Sequence, residues 1–533
     1  MVAWRDVNAL YQIYPRSFRD ADGDGVGDLR GIIDKLDYLK GAPQSLGTDA
    51  IWISPFFASP MKDFGYDVSN YCDVDPLFGS LVEFDELLAK AHARDIRVMI
   101  DFVPNHTSDQ HAWFQEAKKG RDSAYRNYYV WRDPAPDGGV PNNWLSSFAG
   151  SAWEYDELSG QYYLHSFLKE QPDLNWENPV VREEMKNVLR FWLQRGVDGI
   201  RADAVWCLSK DRDFQDNPRN PSYFGDTQAY GSFIHRNSKN GPRLYEYLSE
   251  LTDTVGEFSD RRILFEYYAD SMIGDPFEQF RPFYLEAFRG IGMPFNFEGI
   301  HQQWGAEPFG GFINRFQALL REGDVPVYCF GNHDQPRIAT RYGRQQSRLI
   351  AMMELTLPGM PTVYYGDEIG MQDGQITPEQ VRDPSAGENG MGGRDPQRTP
   401  MQWTNDSSVG FTSGAPWLPV ASFYQTYNVQ SELYDQHSFL TLYRALLELR
   451  REEGVMAHGD FSLVSTNDNV LVYERSGEGR RYIVALNFGD QPVAIRVPHG
   501  EIRVATHVGD VLSFDYDGAL RLQGYGGAII DLR

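Results

Sequence analysis

The sequence predicts an α/β protein: a (β/α)₈ barrel with an inserted subdomain after its third strand and an antiparallel β-sandwich at its carboxy terminus. Three observations lead there. Short apolar strands alternate with helical patterns through most of the 533 residues, the mark of a parallel sheet with crossover helices. About 75 residues rich in Gly, Pro, Trp and Tyr separate the third strand from the next helix, far more than a βα connection needs. Beyond a last periodic helix at 439–449 the pattern changes to alternating strands, such as 469–474, 481–487 and 493–498.

Taken in order, the predicted barrel strands are 8–14, 50–55, 98–103, 199–205, 263–268, 292–297, 327–330 and 361–365. Helices lie between them. Phe84, Leu87, Leu88 and Ala91 repeat at i, i+3, i+4, i+7, as do Met185, Val188, Leu189 and Trp192. Eight such units over some 450 residues suit a barrel with insertions better than a doubly wound sheet. The expected division is 1–104 for the first part of the barrel, 105–175 for the inserted subdomain, 176–453 for the rest of the barrel with a long loop after strand eight, and 454–533 for the sandwich.

Composition narrows the function. With 41% apolar and 23% charged residues the chain is globular, and 75 acidic against 50 basic residues leave a net charge of −25. Such a surface repels phosphate backbones and anionic lipid, so neither nucleic acid nor a membrane is an expected partner. Cys72, Cys207 and Cys329 are odd in number and sit in or beside apolar segments, the pattern of small core residues in a reducing compartment. No segment reaches the roughly 18 to 20 apolar residues of a membrane span, and the amino terminus lacks a signal-peptide pattern. The expectation is a cytoplasmic protein. The sequence sets no oligomeric state.

In a barrel of this kind reactive groups stand where strands end. The fourth strand ends in Arg201-Ala202-Asp203, and period 2 turns Arg201 and Asp203 to the same side. An Arg beside an Asp is expected to lower that carboxyl's pKa and keep it ionised, as a nucleophile requires. Read alone, the pair is equally a structural ion pair. The fifth strand runs through three apolar residues into Glu266, surroundings that raise a carboxyl's pKa and suit a general acid, unless the side chain turns outward. After strand seven, Gly331-Asn332-His333-Asp334 offers a third acid. Paired carboxylates are what glycoside hydrolysis uses, one to attack and one to protonate the leaving oxygen.

These segments carry a resemblance. Asp101-Phe102-Val103-Pro104-Asn105-His106, residues 199–205, Asn332-His333-Asp334, Gln171-Pro172-Asp173-Leu174-Asn175-Trp176 and Arg398-Thr399-Pro400-Met401-Gln402-Trp403 occur in the order found in the α-amylase family of glycoside hydrolases. The chain resembles the oligo-1,6-glucosidase and α-glucosidase branch over essentially its whole length. The resemblance implies a retaining double displacement with Asp203 as nucleophile, Glu266 as acid and base, and Asp334 stabilising the transition state. Arg201, His106 and His333 would hydrogen-bond the nucleophile and the sugar hydroxyls. Asp63 and Arg398 would grip the non-reducing terminal sugar and close the site into a pocket, and Tyr66 would stack on the ring. The implied substrates are maltose and short oligosaccharides, with transglucosylation as a companion reaction. Ala204, directly after the nucleophile, leans the linkage to α-1,4, since relatives preferring α-1,6 bonds tend to carry Val there.

One departure stands out: Phe265 precedes Glu266 where the family usually has Gly. Thr254-Val255-Gly256-Glu257 mimics the motif by its letters, but Glu257 ends a helical run whereas Glu266 follows an apolar strand, so Glu266 is preferred. A sucrose- or trehalose-isomerising relative is the alternative within the enzyme class. A catalytically silent partner subunit is disfavoured because all three acids are present.

Asp20-Ala21-Asp22-Gly23-Asp24-Gly25-Val26-Gly27-Asp28 sets carboxylates at alternate positions, as a loop wrapping a hard cation does, but lacks the final Glu of an EF-hand. The resemblance implies a structural Ca²⁺ or Mg²⁺ held by Asp20, Asp22, Asp24, the Val26 carbonyl and Asp28. No organic cofactor is expected, because the G-x-G-x-x-G register of a nucleotide loop fails at Asp28.

Overall fold

Eight parallel strands close on themselves in chain order in the computed structural model: β1 (Leu10–Ile13), β2 (Ala50–Ile53), β3 (Arg97–Phe102), β4 (Gly199–Ala202), β5 (Arg262–Phe265), β6 (Gly292–Asn296), β7 (Val327–Cys329) and β8 (Met360–Tyr364), which pairs back onto β1. The structure describes residues 1–533 apart from 227–228, 286, 289, 387–392, 468, 508–513 and 515–517. The expected (β/α)₈ barrel is present. Most strands are shorter than the apolar pattern predicts; Asp203, Glu266 and Tyr365 still donate to the neighbouring strand and then lead into the loops at the carboxyl end.

Period 2 decides what each strand residue does. Leu10, Ala50, Trp52, Met99, Leu264, Phe295 and Cys329 point inward and, with Trp4, form a plug inside the barrel. Their neighbours Ile51, Val98, Ile100, Ile200, Ile263 and Phe265 point outward against the helices. Gly199 is small for a reason: a Cβ there would lie 2.7 Å from Met99 and 2.8 Å from the Trp4 ring.

The helices are bounded by local chemistry. Ser80 caps Leu81–His92 by accepting from the Glu83 N–H, and Asn178 caps Pro179–Arg195, which has Pro in its first turn and ends at Gly196 with φ +113°. Each buries the predicted apolar stripe. No helix among the described residues is long and apolar enough to cross a membrane.

Between β3 and the Pro179 helix lies a three-stranded antiparallel sheet of Trp131–Arg132, Gln161–Leu164 and Trp153–Asp156. It is stitched to the barrel rim by the bridges His106↔Asp173 and Tyr129↔Leu174. After β8, the long loop folds back over the exit of β1: the Met401 N–H donates to the Ser17 carbonyl and the Trp403 indole to the Phe18 carbonyl.

The carboxy-terminal region begins with the antiparallel strands Asp460–Asn467, Val470–Gly477 and Arg480–Asn487, to which Gly527–Asp531 and Glu501–Ala505 add. One face, including Leu471, Tyr473, Val484 and Ile529, joins the core over the barrel helices. The other, with Val472, Ile483 and Ile530, packs on Leu520 and Leu522 of a two-stranded sheet. Arg475 is fully buried at the junction and donates to the carbonyls of Thr356, Met456, Val455 and Gly459. Arg450 does the same for Leu355, Leu357 and Met456. Replacing Arg475 with Leu removes those hydrogen bonds from a buried junction and leaves the Thr356 and Gly459 carbonyls without them, so Arg475→Leu should lower unfolding stability by about 3 kcal/mol, read as a lower urea midpoint at unchanged slope.

Candidate active site

One guanidinium organises the floor of the site. Register places Asp101 of β3 opposite Arg201 of β4, and Arg201 opposite Leu264 of β5, two residues before Glu266. Arg201 is 1% exposed; its Nη1 lies 2.5 Å from Asp101 and 2.7 Å from Asp203, and its Nη2 lies 2.9 Å from Glu266. The Trp52 indole donates to the other Asp101 oxygen at 2.9 Å. Just past Asp203 the chain turns through Ala204 at φ +47°, a left-handed conformation rare outside glycine, which aims the Ala204 N–H at Glu266 Oε2 at 2.8 Å. Oε2 therefore accepts twice, leaving Oε1 to carry a proton.

A single cation cannot neutralise three carboxylates. Burial pushes the carboxyls of Asp101 and Asp203 up to about 7, against the pull of Arg201, and holds Glu266 well above the usual carboxylate range. The expected lowering of Asp203 by Arg201 is thus overturned, because Arg201 is shared and burial dominates. One Nη of Arg201 holds Asp203 and the other holds Glu266, so the two carboxyls stand side by side on one guanidinium.

Opposite them stands Asp334. Burial would raise its carboxyl, but the facing His333, Arg398 and Arg394 hold it well below the usual range. His333 is set between Gln12, 2.8 Å from Nδ1, and the Tyr66 hydroxyl, 2.6 Å from Nε2. Asp63, Tyr66, His106, Asp203, Glu266 and Asp334 all line one cavity of about 200 Å³. His106 is pushed down to about 4 by burial, so its ring is neutral near pH 7.

Arg398, expected to grip the sugar with Asp63, is not among the residues that line the cavity. It is fully buried behind the cavity, donating to Asp334 at 2.8 Å and to the His333 carbonyl at 2.9 Å. The arginine on Asp63 is Arg394, at 2.6 Å, which also holds Asp383 at 2.8 Å and approaches Asp334 at 3.4 Å. The 3₁₀ turn Pro396–Arg398 separates the two arginines and turns only the first into the cavity. Gln171 completes this side, donating to Asp63 at 3.1 Å beside His106. Arg394, Asp383, Asp101 and Gln171 were not among the predicted site residues. Three of them stand inside or beside motifs already noted, Asp101 and Gln171 as the first residues of theirs and Arg394 four positions before Arg398.

Glu257 lies elsewhere, at the end of helix Leu244–Gly256, exposed and paired with Arg190 at 2.7 Å. Phe265 leaves the cavity untouched: its ring points outward between Phe283 and Phe288.

In the Asp20 loop, carboxylate oxygens of Asp20, Asp22 and Asp28 come within 4.8 Å of one another. Asp24 does not join them; it accepts from the Val26 N–H at 2.7 Å, and the Val26 side chain packs on the core. The loop is pressed on residues 411–417, where a Cβ at Gly25, φ +96°, would sit 2.0 Å from the Ala415 carbonyl oxygen.

Comparison with known proteins agrees with this geometry. The α-amylase catalytic-domain family matches residues 12–459. The chain is 39% identical to an oligo-1,6-glucosidase of Heyndrickxia coagulans, over 93% of this chain and 94% of that protein, and 38% identical to an α-glucosidase of Apis mellifera, over 90% and 85%. Among solved structures it is similar to the α-glucosyl transfer enzyme XgtA, with a TM-score of 0.92 at 38% identity over 100% of both chains. It is also similar to the trehalulose synthase MutB of Pseudomonas mesoacidophila MX-45, with a TM-score of 0.88 at 35% identity over 99% of both.

The crowding of carboxylates has a measurable cost in stability. A carboxyl raised on folding binds its proton more tightly in the native state, so its contribution is present at low pH and lost as pH rises between the unfolded value near 4 and about 7. Asp203→Asn should therefore unfold at higher urea than the parent, with the gain larger by about 2 kcal/mol at pH 8 than at pH 5.

Proposed function

The chain belongs to the α-amylase family of glycoside hydrolases, and from that premise we propose that it is a retaining, exo-acting α-glucosidase that releases terminal glucose from maltose and short oligosaccharides. One observation carries the exo-action. Arg394, from the loop after β8, is ion-paired to Asp63, from the loop after β2, and so closes the cavity holding Asp203 and Glu266 on that side. A blind cavity of about 200 Å³ takes one sugar ring, not the middle of a chain.

The chemistry follows from the charges. Asp203 attacks the anomeric carbon while Glu266 gives its proton to the glycosidic oxygen, and the bond to the leaving sugar breaks. The resulting glucosyl ester is cleaved by water, whose proton returns to Glu266. In the transition state of each step the sugar carries positive charge, and a site with more carboxylates than cations favours that state electrostatically. Asp334, held ionised, faces it from the other side. Entry of the leaving sugar also excludes water from Glu266, keeping the acid protonated near neutral pH.

The linkage in this reading is α-1,4, supported by Ala204 in the cavity wall. A second reading, transfer of the glucosyl group to a sugar in place of water, is supported by the likeness to XgtA and MutB; chromatography of products from maltose, isomaltose and sucrose separates the two. The reading includes a Ca²⁺ or Mg²⁺ on Asp20, Asp22 and Asp28, whose converging hard oxygens suit such an ion. Its role would be to hold the loop against residues 411–417. A cytoplasmic setting is supported by three cysteines that are all free.

The decisive test is Glu266→Gln beside Glu257→Gln on maltose, with the product anomer followed by NMR. Glu266→Gln should lower kcat by about 10³-fold and Glu257→Gln by less than about twofold, with α-glucose appearing first from the parent enzyme; equal effects would remove Glu266 from its role. For the cation, EDTA should lower the Tm by several degrees and Ca²⁺ or Mg²⁺ restore it, and Asp22→Asn should abolish that response.

A further inference from the structure

A cavity of about 620 Å³, larger than the catalytic one, lies elsewhere in the molecule. It opens between the inserted sheet and the segment after β4 that runs through Lys210 and Phe214. In a chain of net charge −25 its walls are inverted in sign: five of its side chains are cationic and two are carboxylates. Three of those cations already hold an acid, as Lys210 holds Asp173 at 2.9 Å. Arg126 and Arg132 do not. Arg126 donates only to a carbonyl, a hydroxyl and an amide, and Arg132 only to its neighbour's carbonyl.

Both guanidiniums lie flat on aromatic faces of the same cavity, Arg126 at 3.3 Å from the centre of the Trp131 ring and Arg132 at 3.7 Å from that of Phe214. Arg132 keeps most of its fork free to bind, and Arg126 has Nε and one Nη1 hydrogen left. Two buried donors, Arg126 Nε and Trp131 Nε1, have no hydrogen-bond partner among the described residues. A buried N–H left unpaired is costly, and sites that tolerate it are commonly those a ligand completes. Bidentate guanidinium recognition favours phosphate, and Val130, Leu174 and Leu208 add apolar lining.

We infer that this cavity is a second ligand site, separate from the catalytic one, that binds a small phosphate-bearing molecule with a ring: the phosphate on Arg126 and Arg132, the ring against the apolar lining. A sugar phosphate and a nucleoside monophosphate share that chemistry, and the cavity lies within the size range of small-molecule sites.

The test is calorimetric titration of the intact protein with glucose 6-phosphate, AMP, glucose and inorganic phosphate at fixed ionic strength, beside Arg132→Gln. Arg132 is exposed and outside the catalytic cavity, so this variant should fold and keep its kcat/KM on maltose. Glucose 6-phosphate or AMP should bind more tightly than glucose or phosphate alone, and about tenfold more weakly to Arg132→Gln. Whichever of the two binds identifies the ring. Absence of binding by both, or binding equal in parent and variant, overturns the inference.

Discussion

Arg201 is the constraint on which the catalytic end of the barrel depends. Its guanidinium ties three neighbouring strands together by their last inward-facing acids: Asp101 from β3, Asp203 just beyond β4 and Glu266 just beyond β5. Because side chains alternate with period 2, a one-residue slip between β3 and β4 would send Asp101 outward among the helices. The ladder hydrogen bonds and the ion cluster therefore specify the same register. Removing Arg201 would leave buried carboxylates facing one another with no cation, a penalty far above that of an ordinary surface pair.

A second cluster does for the loops what Arg201 does for the strands. Arg394 holds Asp63 and Asp383 and leans on Asp334, so segments from distant parts of the chain meet on one guanidinium. Gln171 brings the inserted subdomain into the same arrangement through Asp63 and His106. The insertion and the long loop after β8 are thus built into the cavity wall, and the site's shape depends on regions that lie outside the barrel proper.

How much of this could be read from the sequence follows from the range of the interactions. The acids at Asp203 and Glu266 were legible because each ends an apolar strand, and a strand-end carboxylate in a parallel barrel has one place to go. The direction of Asp203's pKa was not legible. Within β4 alone Arg201 looks like its private partner, and only the register with β3 shows that Asp101 competes for the same cation. The choice between Arg394 and Arg398 was equally hidden, since both lie in one short polar segment and a single 3₁₀ turn decides which is buried. Asp24 shows the same limit at finer scale. Alternation offers it as a ligand, but the turn brings together the carboxylates of Asp20, Asp22 and Asp28 without it.

The inner plug of Trp52, Met99, Leu264 and Phe295 lies directly beneath these charges, and that placement explains their behaviour. An apolar floor lowers the local dielectric, which strengthens attraction to Arg201 and repulsion among the acids together. Water could weaken both, but Asp101 and Arg201 are almost wholly enclosed. The free protein consequently stores unfavourable charge that only a proton or a cationic sugar can relieve. A proton on Glu266 relieves it at rest, and the developing oxocarbenium relieves it as that proton leaves for the glycosidic oxygen. The crowding that weakens the folded state is then the same free energy that favours the transition state, and better neutralisation of the cluster would stabilise the fold at the expense of the reaction.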